Sequence, residues 1–205
     1  FGKHVIPSML DRYTLQSYPF AGYWVDVGTV DAYWTTSMEL ISGHSQLNLY
    51  DPDWVIHTRS EERAPAKVGP QSRVLESMIC NGSFVRGQVM RSVLSPGVYV
   101  SPGAVVRESV IMNDTWIGPG AVVDRCIVDK NVVVGAGTEL GFGDDLDTPN
   151  AAAPDRFYTG PTIVGKGAHI PGGLRIGRNV VIQADVDEEA FASFGDTVPS
   201  GSTVA

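Results

Sequence analysis

Residues 92–137 read "SVLSPGVYVSPGAVVRESVIMNDTWIGPGAVVDRCIVDKNVVVGAG", and they decide the fold. The aliphatic residues Leu94, Val100, Val106, Ile111, Ile117, Val123, Val128 and Val134 stand 6, 6, 5, 6, 6, 5 and 6 positions apart. A three-residue theme returns every 17 residues, as "SVL" at 92–94, "SVI" at 109–111 and "CIV" at 126–128. The period resumes at Val164, Ile170, Ile176 and Ile182, each 6 apart. Gly or Pro follows many of these positions, as in "SPG" (101–103), "GPG" (118–120), "GKG" (165–167) and "PGG" (171–173).

A helix of 3.6 residues per turn cannot keep a six-residue period on one face, and a flat strand cannot take a Gly-rich corner every six residues. A triangular coil can. Each side is a short strand, each corner is a turn, and one aliphatic side chain per side points to the axis. This is a hexapeptide-repeat parallel β-helix. A β-sandwich, with turn signals every 8–12 residues, does not account for the spacing. Alanine at a hexad position such as Ile117 or Ile176 should be costly, whereas neighbours such as Asp124 read as exposed and tolerant.

Around that centre the chain obeys other rules. Residues 1–60 read as mixed α/β structure, 61–73 ("RSEERAPAKVG" and its surroundings) as a polar linker, and 74–205 as the β-helix. Thr29 is a helix N-cap with Asp31 in the first turn; Val30, Tyr33, Trp34, Met38 and Ile41 follow at helical spacing, and Gly43 ends the run. "FAGYWVDVG" (20–28) fits a short buried strand. Residues 141–161, "GFGDDLDTPNAAAPDRFYTGP", hold no hexad and form either a long loop or a flap leaving the coil at one corner. The end, "DEEAFASFGDTVPSGSTVA", is polar and small and is expected to pack loosely.

The composition narrows the partners. A net charge of −8 argues against broad binding to nucleic acid or anionic membrane. Two cysteines, Cys80 and Cys126, lack CxxC spacing and read as free buried thiols, too few for a zinc site. No apolar run reaches the roughly 20 residues of a membrane span, and no signal peptide opens the chain, so the cytoplasm is the expected location. The start at Phe1, without Met, suggests a fragment of a longer protein.

"GYWVDVGTVDAYW" (22–34) surrounds Asp26 with aromatic and aliphatic residues. A buried, unpaired carboxylate costs several kcal/mol, so Asp26 calls for a cation or for a turn or helix to cap. From the residues alone Trp24 reads as plain core.

Taken together these segments resemble the C-terminal part of the bacterial glucose-1-phosphate adenylyltransferases, or ADP-glucose pyrophosphorylases. The resemblance rests on "FGKHVIP" (1–7), "YWVDVGTVDAYW" (23–34), "LNLYDPDWVIHT" (47–58), "APAKV" (64–68), "CIVDKNVVV" (126–134) and "DRFY" (155–158). It implies a left-handed β-helix preceded by the last part of an α/β nucleotidyltransferase domain. It implies that Asp26 helps hold a catalytic Mg²⁺, and that Phe1 and Trp24 lie at the glucose pocket. Further implications are a homotetramer, glucose 1-phosphate and ATP as substrates in glycogen or starch synthesis, and a phosphorylated effector bound near Lys130, with Lys166, Arg175 and Arg178 as further basic candidates. The family's Gly-rich nucleotide loop, its upstream sugar-binding residues and the other metal-binding Asp have no counterpart here, so the isolated chain is not expected to catalyse. His169 in "GAHIPGG" raises a rival, a hexapeptide acyltransferase using CoA, which leaves "YWVDVGT" unexplained. A purely structural assembly module and a pyrophosphorylase for another sugar are two further rivals.

Overall fold

A computed structural model of the chain describes residues 1–43, 45–58 and 61–205. The hexad positions form the axis of a parallel β-helix: all twelve, from Leu94 to Ile182, are at most 2% exposed. Three sheets make its sides. One has six strands, from Lys67–Val68 to His169–Ile170. The others have seven each, from Arg73–Leu75 to Thr197–Val198 and from Met78–Ile79 to Thr203–Val204. Every pairing is parallel, and each inward residue sits on its counterpart in the next coil, as in Val100↔Ile117↔Val134.

The corners explain the small and polar residues between hexads. At the corner between the third sheet and the first, Asp114, Asn131 and Asp185 adopt φ of 57°, 59° and 59°, and each donates its backbone N–H to the preceding coil. Asp and Asn tolerate this left-handed region better than most residues. The corner between the second and third sheets uses Glu76, Arg91, Glu108 and Arg125 instead, with φ of 42–52°. Stacked coils set these side chains in a column of alternating charge, in which Arg91 pairs with Glu108 at 3.1 Å.

Beside that column runs a buried ladder. The backbone N–H groups of Ser92, Ser109 and Cys126 donate to the hydroxyls of Ser77, Ser92 and Ser109 at 3.2, 3.1 and 3.0 Å. Each hydroxyl donates to the carbonyl two residues earlier. The polar groups of this ladder are thereby paired, as burial requires.

The fold departs from the sequence expectations in four places. The coil begins inside the stretch read as a linker, with strands at Lys67–Val68 and Arg73–Leu75. Residues 20–28 form no strand; no sheet edge pairs with them, and Trp24, Val25 and Val27 are exposed. The described part of 1–60 holds two helices, α1 (Val5–Met9) and α2 (Val30–Ile41), and no strand. The end of the chain is not loose: a 3₁₀ helix, Glu188–Phe194, plugs the coil with Phe191, and Val198 and Val204 extend the core.

Helix α2 starts as read, with Thr29 Oγ1 accepting from Ala32 N at 3.1 Å. It docks on the third sheet, where Trp34 Nε1 donates to Glu108 O at 2.7 Å and the Arg125 guanidinium lies 4.2 Å from the Trp34 ring centroid. The outward-facing Val110 and Ile127 of that sheet are buried.

Truncating an axial residue leaves a cavity that flanking coils cannot fill. Ile117→Ala should lower the unfolding free energy by about 2–5 kcal/mol. Gln88→Ala, on an exposed strand position, should change it by less than about 0.5 kcal/mol. Equal shifts in urea denaturation would show that the axial register is misplaced.

Candidate functional site

Two regions gather the candidate residues. The first is the aromatic segment before α2. Asp26 is exposed, and its Oδ1 accepts the Gly28 N–H at 3.0 Å, while Thr29 rather than Asp26 caps the helix. The carboxylate therefore closes a turn, and its Oδ2 has no partner among the described residues. Trp24 is 74% exposed and Phe1 93%, so neither is core. Aromatic density predicts burial for this segment, but Trp24, Val25 and Val27 stay exposed and Tyr23 is half-buried, its hydroxyl donating to Glu39 Oε2 at 3.4 Å. Among the same residues no group of three or more acidic, His or Cys side chains could hold a metal.

The second region is a groove of about 790 Å³ along the corner between the third and first sheets. Lys130 lines it with Asn113, Asp114 and Asn131 from the corner and with Thr58, Glu61 and Arg63 from the strap that leads into the coil. The Lys130 side chain is exposed at a corner, as "DKN" suggests. Lys166 stands on the same corner one coil further, where Gly167 N donates to Lys130 O at 3.0 Å, but it does not line the groove. Asp114 is held by Arg63, which keeps its carboxyl below the usual carboxylate range. Arg63 and Glu61 escape a reading of the sequence, because an E-x-R pair in a polar stretch looks like solvated charge.

The other two basic candidates are spent elsewhere. Arg178 is buried: its Nε donates to Gly143 O at 2.8 Å, Nη1 to Asp124 O at 3.0 Å and Nη2 to Asp124 Oδ2 at 2.8 Å. It is a staple for the flap, not a cation offered to a ligand. Arg175 pairs with Glu139 at 3.4 Å and lies over the Phe142 ring on the outside of the second sheet. Asp124 is correspondingly no free surface residue, since it holds both Arg178 and Arg107.

The flap, 141–161, is anchored at several points. Asn179 Nδ2 donates to Leu146 O and Thr148 O, and Asn150 Nδ2 donates to Asn179 O and Ser202 O. So fixed, residues 155–159 face the start of α2 across a cavity of about 490 Å³. His169 points outward from its strand, and no described residue hydrogen-bonds its imidazole. Burial pushes the Cys126 thiol up to about 12 and raises Cys80 as well, which removes both as nucleophiles near neutral pH.

Comparison with known proteins bears on both regions. A family model described as "GlmU-like, C-terminal hexapeptide" matches residues 64–156. The glucose-1-phosphate adenylyltransferase of Thermomicrobium roseum is 54% identical over 222 aligned positions, covering 100% of this chain and 47% of the relative. The chain belongs to the glucose-1-phosphate adenylyltransferase family. The enzymes of that name from Acetivibrio thermocellus and Thermotoga neapolitana are 41% and 47% identical, over 94% and 93% of this chain and 45% of each relative. The chain thus spans about half the length of the curated relatives it matches. Among its described residues no helix is long and apolar enough to cross a membrane.

Arg178→Ala strands the acceptors Asp124 and Gly143, and breaking a buried pair costs about 3–5 kcal/mol. The variant should melt earlier and be cut by proteases within 141–161. Lys166→Ala should do neither. An uncut, equally stable Arg178→Ala would show that the flap is held by its asparagines alone.

Proposed function

We propose that this chain is the C-terminal half of a glucose-1-phosphate adenylyltransferase, supplying the sugar and metal edge of the active site and the regulatory, assembly-forming β-helix. The supporting observation is that similarity runs the full length of the chain. It takes in "YWVDVGT" as well as the hexads, which an acyltransferase or a bare β-helix module would not need. The reaction is ATP plus glucose 1-phosphate giving ADP-glucose and pyrophosphate, a step toward glycogen or starch. The sugar phosphate attacks the α-phosphorus, so catalysis rests on positioning and charge neutralisation.

Among the described residues, 16 of the 21 exposed large apolar side chains lie within 1–56. A patch of that extent marks a surface built to be covered; in the complete enzyme the preceding half of the nucleotidyltransferase domain covers it. There Trp24 and Phe1 offer aromatic faces to the C–H side of glucose. Mg²⁺ takes one or two carboxylates together with phosphate oxygens and water. Asp26 fits as one such donor, because its turn hydrogen bond engages Oδ1 and leaves Oδ2 to a ligand. When bound, the metal neutralises charge on the phosphates. Lys130 contributes a cation to a phosphorylated effector seated between the two domains. In this reading the enzyme is a cytoplasmic homotetramer without nucleic-acid or membrane partners.

Asp26→Asn in the complete enzyme should lose most turnover and keep its melting temperature, because shape is retained and charge is lost. Near-normal turnover at low Mg²⁺ would reject the assignment. Lys130→Ala should raise the effector concentration for half-activation about tenfold, a loss of roughly 1.4 kcal/mol, with unactivated turnover unchanged. An unaltered half-activation would leave Lys130 as a solvated corner.

A further inference from the structure

The strap before the coil does more than connect. Arg63 reaches from it across the corner to Asp114, donating Nη1 to Oδ1 at 2.5 Å and Nη2 to Oδ2 at 2.9 Å. The same guanidinium donates Nε and Nη2 to Glu61 at 2.9 and 2.6 Å. These contacts use four of its five N–H groups, so one N–H on Nη1 remains uncommitted among the described residues.

The path of this side chain is built into the coil. A Cβ on Gly97 would collide with Arg63 Nη1, and one on Gly82 would lie 2.8 Å from Arg63 Cδ. The backbone favours glycine there too, with φ of 78° at Gly82 and 79° at Gly97, whereas Asp114, Asn131 and Asp185 take the equivalent corner positions at 57–59°. Gly82 and Gly97 are therefore a notch through which the strap is latched to the third coil.

Charge gives the latch a consequence. Among the described residues that line it, the groove holds two cations, Arg63 and Lys130, and two carboxylates, Glu61 and Asp114. With Arg63 engaged by both carboxylates, Lys130 is the one described cation of the groove offered to an incoming anion. A tetrahedral oxyanion, however, is recognised best by a bidentate guanidinium fork. Glu61 sits two residues from Arg63 and travels with the strap, whereas Asp114 is fixed in the coil by its neighbours above and below.

We propose that Arg63 is a second, latent ligand of the Lys130 groove: a dianionic oxyanion bound at Lys130 draws the Arg63 fork away from Asp114, unlatching the strap from the β-helix. This rests on the reading of Lys130 as an anion site. It adds how occupancy of that site is felt by the segment leading back to Asp26. The strap then reports the ligand, since the Arg63–Asp114 fork is its side-chain tie to this corner.

The probe is inorganic sulfate, titrated into the 205-residue chain at pH 7 and constant ionic strength, with chloride as the reference. Calorimetry gives the affinity, and NMR follows Arg63 Nε and Asp114 Cγ. Both resonances are expected to move with the calorimetric midpoint, and Lys130→Ala should abolish the movement. Arg63→Gln should bind sulfate about tenfold more weakly while Gln88→Ala binds normally. Saturable binding that needs Lys130 but leaves Arg63 and Asp114 unmoved, with unchanged affinity in Arg63→Gln, would overturn the latch and leave the anion site standing. Binding that is absent, or indifferent to Lys130→Ala, would overturn the anion site and the latch with it.

Discussion

Every coil of this protein completes its backbone hydrogen bonds on the coil beside it. That constraint orders the rest. A parallel ladder fixes which residue lies over which, so Val100, Ile117 and Val134 share a column whether or not their side chains attract. Any residue type suited to a site in one coil is then suited to the same site 17 residues later. Repetition in the sequence follows from the ladder, and the axial aliphatics are its most visible case.

The same register produces columns that are not apolar. Glu76, Arg91, Glu108 and Arg125 occupy a tight corner with left-handed backbone, where Gly or Asn is the ordinary choice. Conformational strain there is offset by alternating sign, since like charges stacked at one inter-strand spacing would repel. Each exposed pair contributes only about 0–1 kcal/mol. The column ends where it becomes structural in another sense. Arg125 leaves the charge series, lies against Trp34 and donates Nη2 to Thr159 O at 3.2 Å. One side chain thus ties helix α2, the coil and the flap together. Helix α2 begins shortly after Asp26, so the turn that presents this carboxylate, closed by the Gly28 N–H, leads into a helix that is braced from the β-helix.

What is legible in the sequence follows from that logic. The coil, its axis, the helix from Thr29 and the flap all announce themselves through period, cap or interruption. The coil's beginning does not, because the step from Val85 to Val89 is shorter than a hexad and Val68, Val74 and Ile79 stand at an end that no further coil covers. The end of the chain misleads for a related reason. Its polar composition hides one plug, Phe191, whose burial depends on the open end of the coil and not on any neighbour in sequence. Residues 20–28 mislead in the opposite direction: apolar density promises burial, but burial needs a partner surface, and the described chain provides none.

The functional residues are harder because sequence reports a charge and not its partner. Arg178 and Lys130 look alike as basic residues near glycine-rich corners. In the fold they differ completely, and the reason lies in their chemistry. A guanidinium fork is long and planar and can satisfy several acceptors at once. In a solenoid it finds them on neighbouring coils, as Arg178 does at Asp124 and Arg107 does at the same carboxylate. Arg91, Arg175 and Arg63 are likewise engaged with carboxylates. A lysine ammonium is strongly hydrated and sits on a flexible stem, so solvent competes with such cross-coil pairing. Lys130 and Lys166 accordingly remain without an ion pair among the described residues. In a chain of net charge −8, these arginines tie coils together, while Lys130 and Lys166 are left to meet what arrives from outside. Arg63 belongs to both groups. It is paired like the structural arginines, but its pairing closes a groove that a lysine keeps open.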